Sequence, residues 1–264
     1  MEGNRQQEKE TVAALTFGRA GSRSEGQMQA SLSSRVVAAF DFDGTLTTSD
    51  TLMAFIRFTH GRSRLLFGFL LHAHWLLMMK LGLYPNGKAK EKVFSHFYKG
   101  TTHKQFVQWG REFAVIAETL LNSHTVDILK QHLAEGHTVL VVTASIDEWV
   151  RPICERLGAS TILATQVEVS PSGKLTGRFL TPNCYGKQKV TRLQEAFLRL
   201  SLDHGSLATT GAQESYKLYA YGDSRGDNEL LAMADVGFRI GHNEKNENSP
   251  LGGITVVRGV PSAY

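Results

Sequence analysis

Cysteine is nearly absent from this chain. Cys154 and Cys184 are the only 2 in 264 residues, and they share no metal-ligand spacing. That excludes a thiolate zinc site and a disulfide framework, and it reads as two reduced thiols in a cytoplasmic protein, with a lone disulfide as the alternative. The longest apolar segment, residues 65–79, falls short of the roughly 18 or more residues a spanning helix needs. Residues 1–34 carry no apolar stretch of signal-peptide type, being rich in Gly, Ser, Gln and mixed charge. They cannot bury enough surface to offset ordering entropy, so a disordered tail is expected, with Met28 as an alternative start to Met1. No internal repeat is present. The net charge is only +4 and the basic residues are spread out, so no nucleic-acid partner is indicated; an anionic small substrate or a membrane surface fits equally well. His72, His74, His96 and His103 form no metal set, since residues two apart on a helix point in different directions.

What is present is an apolar core complement (42% hydrophobic) and an alternation of strand and helix patterns. Val36 to Phe40 reads as a buried strand and ends in Asp41-Phe42-Asp43-Gly44-Thr45-Leu46-Thr47. In extended chain, residues i and i+2 point the same way, so Asp41 and Asp43 converge at the carboxyl end of the strand, where open α/β sheets bind ligands. Two adjacent carboxylates demand a hard cation, a shared proton or both; an ordinary Asp-Gly turn is the plain alternative. Helical patterns follow. Ser49 or Asp50 is the expected cap of a helix over 51–59, Gly61-Arg62-Ser63-Arg64 a break, and residues 65–79 a helix flanked by Arg62, Arg64 and Lys80. That segment reads first as a core helix, and alternatively as a helix lying in a membrane interface through residues 62–80. Amphipathic helices are expected over 91–98, 102–119 and 125–134.

From Gly136 the α/β rhythm returns. Strands are expected at 137–142, 161–165, 217–221 and 236–240, a β-hairpin within 166–180, and helices over 146–157, 187–200 and up to Met233, with a loop over 203–215. The resulting fold class is α/β: a doubly wound (Rossmann-like) parallel sheet with an inserted α-helical cap and a small β-hairpin. The units are too few for an eight-stranded barrel. The domain division expected is a core of 35–47 and 125–264, with a cap of 48–124.

Four polar clusters follow strands or open helices: Asp41/Asp43, Thr143/Ser145, Lys187/Lys189 and Asp223/Asp227. Each has a plain reading as a strand-end cap, a solvated charge or a helix-terminus acid. Together they match phosphoryl transfer, with a carboxylate nucleophile, a second carboxylate moving protons, carboxylate oxygens for Mg²⁺, and a hydroxyl and an ammonium for the phosphoryl oxygens. In this order, the set resembles the haloacid dehalogenase superfamily of phosphohydrolases over residues 36–242.

The resemblance implies Asp41 as nucleophile and Asp43 as general acid/base, with its carbonyl also on the metal. It further implies Thr143 as a phosphate ligand, Asp223 as a Mg²⁺ ligand, and Asp227 as a further ligand or one in contact with it. For the single lysine of the family, Lys187 and Lys189 both align, and Lys189 is preferred. The insert resembles the cap of the subgroup (subfamily IB) that contains phosphoserine phosphatases and a bacterial phosphatidylglycerophosphatase. Asp50 stands near the acidic residue that meets the ammonium of phosphoserine. No arginine lies between Arg64 and Arg111 to take a substrate carboxylate, which counts against phosphoserine, and the apolar segment 65–79 points instead to a lipid-linked or hydrophobic phosphate, with phosphoserine or another small metabolite as the alternative. A lipid substrate implies association with the inner face of the membrane. A phosphate-binding or regulatory module, and a phosphotransferase, are the alternatives on the same fold.

Overall fold

The computed structural model describes residues 35–203, 216–241 and 254–258. The tail expected over 1–34 and most of the expected loop at 203–215 lie outside them. The strand β1 (Arg35–Phe40) is central. It pairs in parallel with β2 (Thr138–Ile146) on one side and β6 (Tyr216–Gly222) on the other. With β3 (Thr161–Thr165), β7 (Val236–Ile240) and β8 (Ile254–Arg258), the sheet order is β3-β2-β1-β6-β7-β8. Among the described strands of this sheet only β8, which lies beyond the strands expected from sequence, runs antiparallel.

Helices cover both faces, so these strands read as continuous apolar runs rather than alternating ones. The period of two sorts them all the same. Ala38, Phe40, Val139, Val141, Tyr219 and Tyr221 belong to one core cluster, while Val37, Ala39, Leu140, Val142, Leu218 and Ala220 belong to another. The covering helices include α4 (Ser123–Ala134), α5 (Asp147–Arg156), α6 (Lys187–Asp203) and α7 (Asn228–Met233). This is the doubly wound α/β arrangement. From β1 the chain passes to β2 on one side and reaches β6 on the other, so a crevice opens at the carboxyl ends of β1 and β6.

Between β1 and α4 lie α1 (Thr51–Lys80), α2 (Asn86–Tyr98) and α3 (His103–Ala117). Asp50, not Ser49, caps α1, accepting from the amides of Leu52 and Met53 at 2.8 and 3.4 Å. The expected break is confined to Gly61, whose φ of 81° and ψ of 168° interrupt the helix in a conformation glycine adopts without a Cβ penalty. An aromatic cluster joins these helices to the sheet side. Phe55 stacks on Trp149 of α5 at 4.6 Å and meets Phe106 and Phe113 edge-on. The hairpin β4 (Val167–Val169) and β5 (Leu175–Phe179) packs against α2, with the Phe179 amide donating to Glu91 Oε2 at 2.9 Å.

The preferred reading of residues 65–79 as a core helix is corrected by their exposure. Only Gly68 is buried; Leu65, Phe69 and Leu76 are half-buried, while Leu66, Leu70 and Leu77 are exposed. The segment is apolar all round, so its sequence carries no phase to say which side faces inward.

Beneath the sheet, His132 of α4 is fully buried between the Tyr221 hydroxyl and His137 Nδ1, each at 2.9 Å. Burial, with His137 adding to it, lowers its pKa to about 3. The folded chain therefore holds this imidazole neutral where the unfolded chain protonates it near 6.5. The stability involved is present above that value and is lost as pH falls from 6.5 toward 3, at up to ~1.4 kcal/mol per pH unit. Denaturant unfolding between pH 7 and 5 is expected to show a shallower loss in His132→Gln than in wild type. Equal slopes would contradict it.

Candidate active site

Register builds the site. Phe40 pairs with Tyr221, and the Asp41 amide continues the ladder by donating to the Tyr221 carbonyl at 2.9 Å, so Asp41 lies beside Gly222 and the Asp223 that follows it. Past Asp41 the chain curls through Phe42–Leu46, closed by the Thr47 amide and hydroxyl on the Phe42 carbonyl at 2.9 and 3.1 Å. That curl delivers Asp43 to the start of α1. Asp43 Oδ1 accepts from the Thr51 amide at 2.9 Å and the Thr51 hydroxyl at 2.6 Å, and its Oδ2 accepts from the Ser145 hydroxyl. The Thr51 amide is one of the N–H groups a helix start leaves unsatisfied, and a carboxylate suits that positive end.

Lys189 enters from the first turn of α6. Its Nζ donates to Asp41 Oδ1 at 2.6 Å and to Asp227 Oδ1 at 2.5 Å, with the side chain only 2% exposed. Asp227 is fixed in turn: its Oδ2 accepts from both the Ser224 amide and hydroxyl at 2.9 Å. Only glycine fits at 222, because a Cβ there would stand 2.4 Å from Asp227 Cβ. Asp223 accepts from the Thr45 hydroxyl at 3.5 Å. Thr143 is buried in β2 with its Oγ1 accepting from the Ser145 amide at 3.0 Å, and it lines the same cavity. Six of the seven site residues expected from sequence thus converge: Asp41, Asp43, Thr143, Lys189, Asp223 and Asp227. Lys187 is exposed and outside the cavity lining.

The charges here are unbalanced. Carboxylate oxygens of Asp41, Asp223 and Asp227 all lie within 4.8 Å of one another. With all three ionised, the carboxylates exceed the one ammonium by two negative charges, which a hard divalent cation bound by oxygen would offset and which, without a cation, add to the burial that raises Asp41. The donor set fits Mg²⁺, the ion typical of the family described below. Burial pushes the Asp41 carboxyl up; the Lys189 ammonium opposes the rise, and Asp227 and Asp43 add to it. Asp43 is also raised, chiefly by burial and then by Asp50, against Lys90 and the hydroxyl hydrogen bonds. The ammonium of Lys189 moves the other way from ordinary buried lysines, because its two carboxylates outweigh desolvation and hold it charged.

Above these groups is a cavity of about 650 Å³ with two kinds of wall. The floor is the polar cluster, while Leu52, Met53, Phe69, Leu76, Met79 and Val93 supply apolar surface. Sequence reasoning did not find Thr51 or Lys90. Thr51 was legible in principle as the residue after a capping aspartate. Lys90 reaches the cavity from α2 and donates to the Ala144 carbonyl at 3.0 Å, with no sequence signal to mark it.

Lys189→Met would leave Asp41 and Asp227 facing each other without their cation. A loss of about 3–5 kcal/mol is expected in denaturant unfolding without added metal, the scale for removing one partner of a buried ion pair. Stability within 1 kcal/mol of wild type would show that the bridge holds nothing.

The comparisons with known proteins agree with this geometry. The family model described as haloacid dehalogenase-like hydrolase matches residues 38–232. Protein CicA of Caulobacter vibrioides is 35% identical over 210 residues, covering 78% of this chain and 86% of its own length. Phosphoserine phosphatase SerB1 of Mycobacterium tuberculosis is 26% identical over 210 residues, covering 77% of this chain and 64% of its own. Among solved structures, a protein of unknown function from Bordetella pertussis superposes with a TM-score of 0.64 at 22% identity, over 77% of this chain and 89% of that one, which speaks to the fold. The strand order, the paired aspartates and the family match lead to one statement: the chain belongs to the haloacid dehalogenase-like hydrolases.

Proposed function

We propose that this hydrolase is a Mg²⁺-dependent phosphomonoesterase working through an aspartyl-phosphate on Asp41, with a substrate that carries an apolar portion. The observation that carries the reading is the unlike surroundings of the two aspartates. Burial raises both carboxyls, but Asp41 receives an ammonium, which opposes the rise and favours the ionised, nucleophilic form, whereas Asp43 is met by two hydroxyls and an amide and by no ammonium in hydrogen-bond contact. Two carboxylates in different environments take different roles. Asp41 attacks phosphorus and the ester P–O bond breaks, its oxygen taking the proton of Asp43. Asp43 then takes a proton from water as that water attacks phosphorus and the bond to Asp41 breaks. Lys189 holds Asp41 and offers positive charge to the phosphoryl oxygens, with Thr143 beside it. Asp41, Asp223 and Asp227, with the Asp43 carbonyl, would hold Mg²⁺, which when bound neutralises phosphoryl charge.

In this reading residues 35–47 and 125–264 form the catalytic core and 48–124 the substrate-selecting cap. The apolar wall of the cavity supports a lipid-linked or hydrophobic phosphate, met at the inner face of a membrane. Phosphoserine remains the second reading, since relatives bear that name and Asp50 lines the cavity. The proton-handling environment of Asp43 weighs against a module that only binds phosphate.

Asp41→Asn is expected to abolish turnover while the circular dichroism spectrum stays that of wild type. Hydrolysis should be screened over phosphoserine, sugar phosphates, nucleotides and lipid phosphates. Normal activity in the variant would refute the nucleophile, and efficient cleavage of soluble esters alone would refute the lipid reading.

A further inference from the structure

We propose that the outer face of α1 beyond Gly61 is a docking surface for an anionic lipid bilayer, lying along it rather than crossing it. The face runs along α1 and past its end, with Ala73 and His74 between Leu70 and Leu77. Leu66, Phe67, Leu70, Leu77, Leu81 and Leu83 are 58% exposed or more, and Leu66, Leu70, Leu77 and Leu81 recur at the helical spacing that puts them on one side. Soluble proteins scatter exposed leucines singly; a contiguous set marks an interaction surface. Among the described residues no helix is long and apolar enough to cross a membrane, which leaves a surface orientation.

Charge selects the occupant. Between Thr51 and Lys90 there is no aspartate or glutamate, while Arg57, Arg62, Arg64, Lys80, Lys88 and Lys90 are all basic. All but Lys90 are exposed, and Lys90 lines the cavity. An apolar strip set in positive charge matches anionic headgroups over acyl chains. A second copy of the chain fits it less well, because a two-fold contact would set Arg62, Arg64 and Lys80 against their own kind.

The same helix turns Phe69, Leu76 and Met79 into the cavity above Asp41. A bilayer against the outer face therefore lies one helix thickness from the apolar wall. This deepens the lipid-phosphate reading and rests on it only for the use made of the surface; docking itself is independent of catalysis.

The test is co-sedimentation of the full chain with vesicles of phosphatidylglycerol and phosphatidylcholine, against phosphatidylcholine alone. Wild type is expected to bind the anionic vesicles, to lose binding in high salt, and to bind at least about tenfold more weakly as Leu70→Asp/Leu77→Asp. Arg62→Glu/Arg64→Glu, which spares the apolar strip, should weaken binding to anionic vesicles as well and serves if the first variant fails to fold. Hydrolysis of p-nitrophenyl phosphate without vesicles is expected to be unchanged in both. Absence of wild-type binding would overturn the proposal, as would binding unaffected by both variants, or a dimer in sedimentation that the leucine variant dissolves while vesicle binding persists. Vesicle binding by a wild type that hydrolyses no phosphomonoester would uphold the surface while removing the proposed reaction.

Discussion

The site depends on one ammonium. Lys189 is buried to 2% exposure between Asp41 and Asp227 and bonds both at about the shortest distances an N–H···O contact takes. Taking these charges out of water is costly, and the bridge offsets that only because each partner has further support. Asp227 is held by Ser224, Asp41 by the β1–β6 ladder, and Gly222 leaves the room Asp227 needs. The floor that results is tied together by these hydrogen bonds and has more carboxylates than ammonium groups, and it sits where the sheet reverses its winding. A phosphoryl group, itself anionic, enters such a floor only together with positive charge. The same imbalance that suits a divalent cation would also oppose a phosphoryl group bound without one.

Asp43 belongs to a different support. Its partners come from α1 and β2, not from α6. Any shift of α1 would act on Asp43 before it acted on the Lys189 bridge. The helix that walls the cavity is also the helix that positions Asp43, so what α1 contacts outside and how the site is set inside are mechanically linked.

Much of this was legible in sequence. A β-branched run ending in Asp-x-Asp placed β1 and both aspartates, and the second Gly-Asp segment placed Asp223 and Asp227 just after another strand, which only the fold sets beside β1. The lysine pair was not resolved by composition, but helical geometry separates it: residues two apart at a helix start point about 200° apart, and only Lys189 faces inward. The exposure of residues 65–79 was not legible because an all-apolar helix has no polar face to mark its outside. β8 was legible in principle, since Ile254-Thr255-Val256-Val257 is a β-branched run after two glycines, although only Ile254 of these four is buried. Thr51 and Lys90 matter through tertiary placement, which one-dimensional spacing does not encode.

The central claim is that Asp41 is the group that takes the phosphoryl. The most direct measurement is ¹⁹F NMR of the protein with beryllofluoride, a mimic of phosphoryl on a carboxylate, with and without Mg²⁺. A bound resonance is expected to appear only with Mg²⁺ and to disappear in Asp41→Asn. A bound resonance of equal intensity in that variant, or none in the wild type with Mg²⁺, would contradict it.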